Sequence, residues 1–535
     1  MKHRFFTRIL LFTLLISLLA GFSPILADSH LQRGGTLIFG RGGDSVGLDP
    51  ALEEDGESFK VCDNIYDTLV QYKDESTELE AGLATNWESS EDGLIWTFHL
   101  RKGVTFHDGT PFNAEAVLFS LNRQHDDTHP FHKIGGSYIY WIATGLSEIV
   151  DKIIAVDDFT VQIHLKTAYA PFIYTIAITP FSIVSPTAVK KWGNEFFNNP
   201  VGTGPFKFVQ WDRNDKIVLE ANDTYWGGPP MLDRVILRSI PDNSVRLIEL
   251  QQGSIHAMEF PNPDDLQQIR DDETLELLSQ PGMSIGYLAM NMDKPPFDNL
   301  KVRLAINHAI NKPAIIEHLY QGLGIPAKNP IPPTLWSYDD TIEDYAYDPE
   351  LAKKLLTEAG YPDGFETTLW ALPVPRPYIP DGRALAEVLQ SELRNVGIET
   401  KVVTFDWGTY LEKTKNGEHD IAMLGWSADL GDPDNFLYFL LSKSSAEKPA
   451  GNIAFYRSDE MQSVLEQARA TSDREKRVSL YQEAQRIFHE DMPWVPLAHA
   501  KQILVINKMI KNLKLQPLNW KYFRQIWIEK PRNPH

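Results

Sequence analysis

The feature that most constrains this chain is an alternation of strand and helix signals between residues 348 and 424. Asp348-Pro349 opens a helix, since Asp is an N-cap type and Pro suits the first helical position. Leu351, Leu355, Leu356 and Ala359 share one face, and Gly360 stops the helix. A strand is predicted over Phe365 to Leu372, followed by a Pro-rich loop from Pro373 to Pro380. A second amphipathic helix carries Leu385, Val388, Leu389 and Leu393 and ends at Gly397. Strands over Ile398 to Phe405 and Asp420 to Leu424 follow. Strand–helix–strand is the unit of a parallel sheet, so the fold class is α/β in this half. Earlier runs alternate with period two, in Ile95 to Leu100 and Thr160 to Leu165, with Gly35 to Phe39 before them. The first half is therefore expected to be a more β-rich lobe. The strand-like tail, Gln502 to Val505 and Gln525 to Ile528, is expected to return to it.

The chain start reads as an export signal. Lys2, His3, Arg4 and Arg8 precede the apolar run Ile9 to Ala20, and Ala27 marks a cleavage edge. The run is too short to span a bilayer of about 30 Å and lies where a removable signal lies. Leu19-Ala20-Gly21-Phe22 places Phe22 where a lipidated cysteine would stand, so a free protein is expected rather than a lipid-anchored one. A mature chain of this length implies two or three domains. The formal net charge of −21 argues against nucleic acid as a partner, because neutralising phosphate needs a basic surface. With Cys62 as the one cysteine, no intrachain disulfide forms; Cys62 reads as a small buried hydrophobe.

Two charges stand out by position. Arg376 follows one strand of the α/β half and Asp429 follows another. In open α/β sheets ligands gather outside the carboxyl ends of the strands. If the two strands are parallel in one sheet, both charges emerge at one edge; the alternative is a pair of solvated loop charges. Arg suits a carboxylate, which it grips bidentately, and Asp suits an ammonium group, so a cleft with one of each suits a zwitterion. Trp370, Tyr378, Trp407, Tyr410 and Trp426 are near in sequence and are read either as cleft walls or as core. Signatures of catalysis are missing: there is no Gly-x-Ser-x-Gly elbow, phosphate loop or His-Glu-x-x-His helix. The histidines are dispersed, so no catalytic residue, metal site or cofactor is expected.

Several stretches carry a family resemblance. They are Gly82-Leu83-Ala84-Thr85-Asn86-Trp87, Trp96 to Val104 with Phe106-His107-Asp108, Val201-Gly202-Thr203-Gly204-Pro205-Phe206, Tyr225-Trp226-Gly227, Pro261-Asn262-Pro263, Lys301-Val302-Arg303 and Ile331-Pro332-Pro333-Thr334. Two longer runs join them, Pro373 to Tyr378, and Gly417 to Asp420 leading to Gly425 to Phe436. Together they resemble the family-5 extracellular solute-binding proteins, in the branch of periplasmic dipeptide binders that serve peptide ABC importers. The resemblance implies a bilobed periplasmic-binding-protein clamp with two inter-lobe crossings and an extra subdomain in the first lobe. It places a signal peptide at 1–27, lobe I at 28–282 with a return segment at 503–535, and lobe II at 283–502. It implies that Arg376 pairs with a peptide carboxylate, that Asp429 takes its ammonium group, and that Tyr378 and Trp426 line the site. The implied partners are a dipeptide or similar small peptide and an inner-membrane ABC permease, with a monomeric protein in the periplasm. Glutathione, haem or an oligopeptide remain alternative ligands, and an exported hydrolase a remote alternative. Two departures stand out: the chain cannot form the disulfides known in this branch, and Glu53-Glu54-Asp55-Gly56-Glu57-Ser58, expected to face the cleft, is unusually acidic.

Overall fold

The computed structural model describes residues 33–519 and 522–529; the expected signal segment at 1–27 lies outside them. The helix predicted after Asp348 spans Pro349–Glu358, and the Asp348 carboxylate accepts from the Leu351 amide at 2.9 Å. Gly360 turns the chain with φ +94°, a conformation that costs a residue without Cβ little. The next helix, Gly382–Asn395, buries Leu385, Leu389 and Leu393 and is capped by Asp381. Strand Phe365–Trp370 pairs in parallel, residue for residue, with Ile398–Val403. On its other side it meets Ile421–Ser427, also in parallel, through Leu369–Ile421 and Trp370–Ala422. The parallel unit is thus present. Its first two strands end two residues earlier than the periodicity suggests, and the third runs three residues further.

The sheet does not stop there. Ile421–Ser427 pairs antiparallel with Ser284–Met290, which pairs antiparallel with the first half of a long strand, Trp494–Asn507. The second half of that strand pairs with Leu275–Pro281 and with Ala257–Glu259. Beyond lie Thr36–Arg41 and Arg234–Ser239 in parallel, then the antiparallel strands Lys216–Ala221 and Phe206–Asp212. One strand therefore serves two sheets with separate cores. One core is built on Ile285, Leu288, Leu369, Leu389 and Ile421; the other on Leu37, Phe39, Val235, Leu237 and Leu504. The chain passes between them at two adjacent places, Pro281 to Ser284 and the middle of the long strand, where the Gly282 amide donates to the Ala500 carbonyl at 2.8 Å.

The tail strand expected at Gln502 to Val505 begins eight residues earlier than the sequence suggests. Pro496 hides it, since proline removes a ladder donor and argues against an interior strand. Here Pro496 faces Tyr287 where the register shifts beside Gly286, and a bulge tolerates the missing N–H. A third core lies around a four-stranded antiparallel sheet, Ala84–Ser89, Ile95–Leu100, Thr160–Leu165 and Val150–Asp157, in that order.

The segment after Ile421–Ser427 is pinned from within the fold. Asp432, with no solvent exposure, receives both terminal nitrogens of Arg477 at 2.8 Å, and Tyr481 donates to it at 3.3 Å. Arg477 and Tyr481 come from the helix Arg474–Asp491. Breaking one side of such a pair leaves a buried charge alone. Arg477→Ala is expected to lower the unfolding free energy by about 3–5 kcal/mol. The double variant Asp432→Asn with Arg477→Met, which leaves no charge behind, should lose less. Denaturant unfolding of the two variants measures the difference.

Candidate functional site

Because Phe365–Trp370 and Ile421–Ser427 are parallel neighbours, the loops that follow them leave from one edge of the sheet. The first loop carries Arg376 and Tyr378, the second Asp429. A pair of glycines fixes the first loop against the second strand. Gly286 and Gly425 are register partners on adjacent strands. A Cβ at Gly425 would come within 2.2 Å of Tyr378 Cδ2, and one at Gly286 within 2.3 Å of the Tyr378 carbonyl oxygen. Tyr378 thus fills the space two missing side chains leave, and the Tyr320 hydroxyl donates to its carbonyl at 2.5 Å. Glycine inside a strand is a signal of such close approach, but the periodicity ends this strand at Leu424 and marks none around Gly286, so the signal is hidden until the strands are placed.

Arg376 sits two residues before this anchor, between Pro375 and Pro377, in a turn closed by mutual backbone hydrogen bonds of 3.0 Å with Ile379. Its guanidinium lies 4.7 Å from the centre of the Trp407 ring. Tyr378 is also its side-chain hydrogen-bond partner. Among the described residues no carboxylate lies within ion-pair distance of Arg376. Trp407 opens the helix Trp407–Lys415 and stacks at 15° on Tyr410, whose hydroxyl donates to the carbonyls of Trp370 and Met423. Tyr410 and Trp370 are buried core residues, which decides between the two readings left open for them.

Asp429 is open to solvent on one side, yet the protein crowding its other sides raises its carboxyl pKa above the usual carboxylate range. Its hydrogen-bond partner is the Tyr140 hydroxyl at 3.4 Å, which pulls the pKa back down. Tyr140 comes from the first half of the chain and packs edge-on against Phe59. Trp426 is half-buried; its indole N–H donates to Asn435 at 3.1 Å and its ring packs 4.2 Å from Phe439.

Tyr140, Trp407 as the partner of Arg376, and the Asp432–Arg477 pair complete the surroundings. Nothing in the sequence signals the reach of Tyr140 across the molecule, because a contact over 289 residues has no local period. Asp432 and Asp434 beside Pro433 look like turn residues; both are buried, and Asp434, its pKa raised to about 6 by burial, faces Arg469 at 3.3 Å. The acidic segment spends most of its charge locally. Asp55 caps the helix Gly56–Ile65, Glu57 pairs with Lys60 at 2.9 Å, and Glu53 is buried with a pKa raised to about 7, by burial first and then by Asp55 and Asp49. Glu54 remains exposed.

Among the described residues, no group of three or more His, Cys, Asp or Glu is placed to hold a metal ion. His419 and His499 are buried and His107 is half-buried, each with one ring nitrogen on a backbone carbonyl and a pKa pushed down to about 4 by desolvation. Cys62 is fully buried, and burial raises its thiol pKa.

The glycine seat makes a prediction. Gly425→Ala should displace the Tyr378 ring and loosen the loop, at a cost of about 1–3 kcal/mol. Hydrogen exchange checks it: the Arg376 and Ile379 amides should exchange faster, and unchanged protection there would show that the loop does not depend on the gap.

Comparison with known proteins agrees with this architecture. The profile of the bacterial extracellular solute-binding proteins, family 5 Middle, matches residues 78–448. The chain is 41% identical over 507 residues to a dipeptide-binding protein of Escherichia coli, covering 92% of this chain and 95% of that one. It is 40% identical over 515 residues to heme-binding protein A of Haemophilus influenzae, covering 94% of each. Among solved structures, the periplasmic binding protein DppA of Helicobacter pylori, in complex with the peptide STSA, superposes with a TM-score of 0.74 at 40% identity. That match covers 94% of this chain and 99% of that one. This chain therefore belongs to the family-5 bacterial extracellular solute-binding proteins.

Proposed function

We propose that this protein captures dipeptides outside the cytoplasm by their two charged ends and hands them to an inner-membrane ABC permease, without chemistry on the ligand. The observation that carries the reading is the pair of opposite charges on loops leaving one edge of a parallel sheet. Arg376 would take the peptide carboxylate and Asp429 the ammonium group, with Tyr378 and Trp426 lining the space between. Arg376 is held by Trp407 and Tyr378 and, among the described residues, has no carboxylate within ion-pair distance, so an incoming carboxylate displaces no acidic partner. The dipeptide-binding relative supports the ligand class, and the relative solved in complex with the peptide STSA supports a peptide as the ligand. In this reading residues 1–27 direct export to the periplasm and are removed, with no lipid anchor, and the protein acts as a monomer. Residues 28–282 and 503–535 form one lobe and 283–502 the other. The two crossings at Pro281–Ser284 and in Trp494–Asn507 act as the hinge, and a ligand that touches both lobes favours the closed form by its differential affinity for it.

Calorimetry with a free dipeptide and its blocked forms tests the site. Arg376→Ala and Asp429→Ala should each weaken binding by about 2–5 kcal/mol, the usual cost of stranding one charge of a buried pair. C-amidation should match the loss in Arg376→Ala, and N-acetylation that in Asp429→Ala. Equal binding of free and blocked peptides would transfer the cleft to another ligand class, such as the haem of the Haemophilus relative.

The pH dependence has a definite sign. An ammonium group binds the ionised Asp429, whose free-state pKa is raised by burial. Affinity is full above that pKa and falls as pH drops through it, until the lower pKa of the occupied site is passed. The fall should therefore begin at a higher pH than an ordinary carboxylate would allow. Binding titrated against pH measures it, and Asp429→Asn should flatten the curve.

A further inference from the structure

Resting on the peptide reading of the cleft, we infer that Trp407 is a positioning residue that sets the protein's selectivity for a free carboxylate at the ligand's end. The geometry is a chain of contacts running out from the core. Tyr410 has no solvent exposure and is fixed by two backbone carbonyls. Trp407 stacks on Tyr410, 6.2 Å between ring centres at 15°. Arg376 lies over the Trp407 ring at 4.7 Å, and Tyr378, locked onto Gly286 and Gly425, is its hydrogen-bond partner.

An indole ring attracts a guanidinium without taking up its N–H donors as a carboxylate would, so the donors that Tyr378 does not engage stay available. Those donors are what a carboxylate takes bidentately. No acid among the described residues lies within ion-pair distance of Arg376, so the aromatic face does what an ion pair does for the buried arginines Arg123 and Arg477. It holds the cation in place, with the difference that the charge stays available. A second acidic side chain would hold Arg376 equally well and would compete with the ligand. Trp407 is also the first residue of its helix, capped by Asp406, which accepts from the Thr409 amide at 3.1 Å. The ring is therefore carried by a defined helix end.

The inference separates from a merely structural role by the end of the ligand that responds. In Trp407→Leu, binding of a free dipeptide such as Ala-Ala should weaken by about tenfold, the scale of a partly desolvated cation–π contact. Binding of its C-amidated form should hardly change, so discrimination between the two collapses. Discrimination against the N-acetylated form, which depends on Asp429, should persist. Trp407→Phe, which keeps a ring face, should recover most of the selectivity. The inference is overturned if Trp407→Leu keeps full discrimination at the carboxylate, if it loses discrimination at both ends together, or if Trp407→Phe behaves like Trp407→Leu. If the wild-type protein itself fails to distinguish free from C-amidated dipeptide, the fault lies in the peptide reading, and the role of Trp407 falls with it.

Discussion

Backbone pairing along Trp494–Asn507 is the constraint from which the rest of the molecule follows. Its first half completes the sheet that carries Arg376 and Asp429, and its second half completes the sheet that holds Thr36–Arg41 and Ala257–Glu259. Neither sheet is closed without it, so the two cores are bound to a single strand and to the short passage from Pro281 to Ser284. Few backbone elements cross at that point. Each core is packed around its own hydrophobic set.

The candidate site sits on this frame in a particular way. Parallel neighbours deliver both loops to one edge, and two facing glycines then bring the Tyr378 loop down onto the adjacent strand. The cation and the anion are treated differently by their surroundings. Arg376 is held by the Trp407 ring and by Tyr378 rather than by an acid, whereas Asp429 meets one hydroxyl from the other half of the chain. The buried Asp432–Arg477 pair keeps the Asp429 loop in register with the helix behind it. Charges that are satisfied inside the fold, such as Asp49 with Arg123, are two-sided; among the described residues Arg376 and Asp429 have no ionic partner of their own. A ligand that brings both charges is the complement of that arrangement.

Much of this is legible in the order of residues. The strand–helix–strand pattern, the caps at Asp348 and Asp381, and the stops at Gly360 and Gly397 are local signals, and local hydrogen bonding and side-chain periodicity determine them. The strands Ile95–Leu100 and Thr160–Leu165 follow from alternation alone. Arg376 and Asp429 are readable as a pair because strand ends in a parallel sheet share an edge. Their joint appearance within family motifs adds what residue types alone leave open. Trp494–Asn507 is only partly legible, since Pro496 reads as a strand breaker until its bulge is known.

The sequence by itself determined the period of the regular elements, the helix ends marked by caps and glycines, and the kinds of charge that the connecting loops carry. All of these depend on neighbours a few residues apart. Tertiary structure alone decided which of those charges are satisfied. Asp432 and Asp434 look like solvated turn residues and are buried against Arg477 and Arg469, while Tyr140 reaches Asp429 across 289 residues. Trp370, Tyr410 and Trp407 are indistinguishable as aromatics in sequence, yet two belong to the core and the third faces a guanidinium. Burial and pairing depend on which surfaces meet after the chain has folded, and long-range contact leaves no periodic trace in the order of residues.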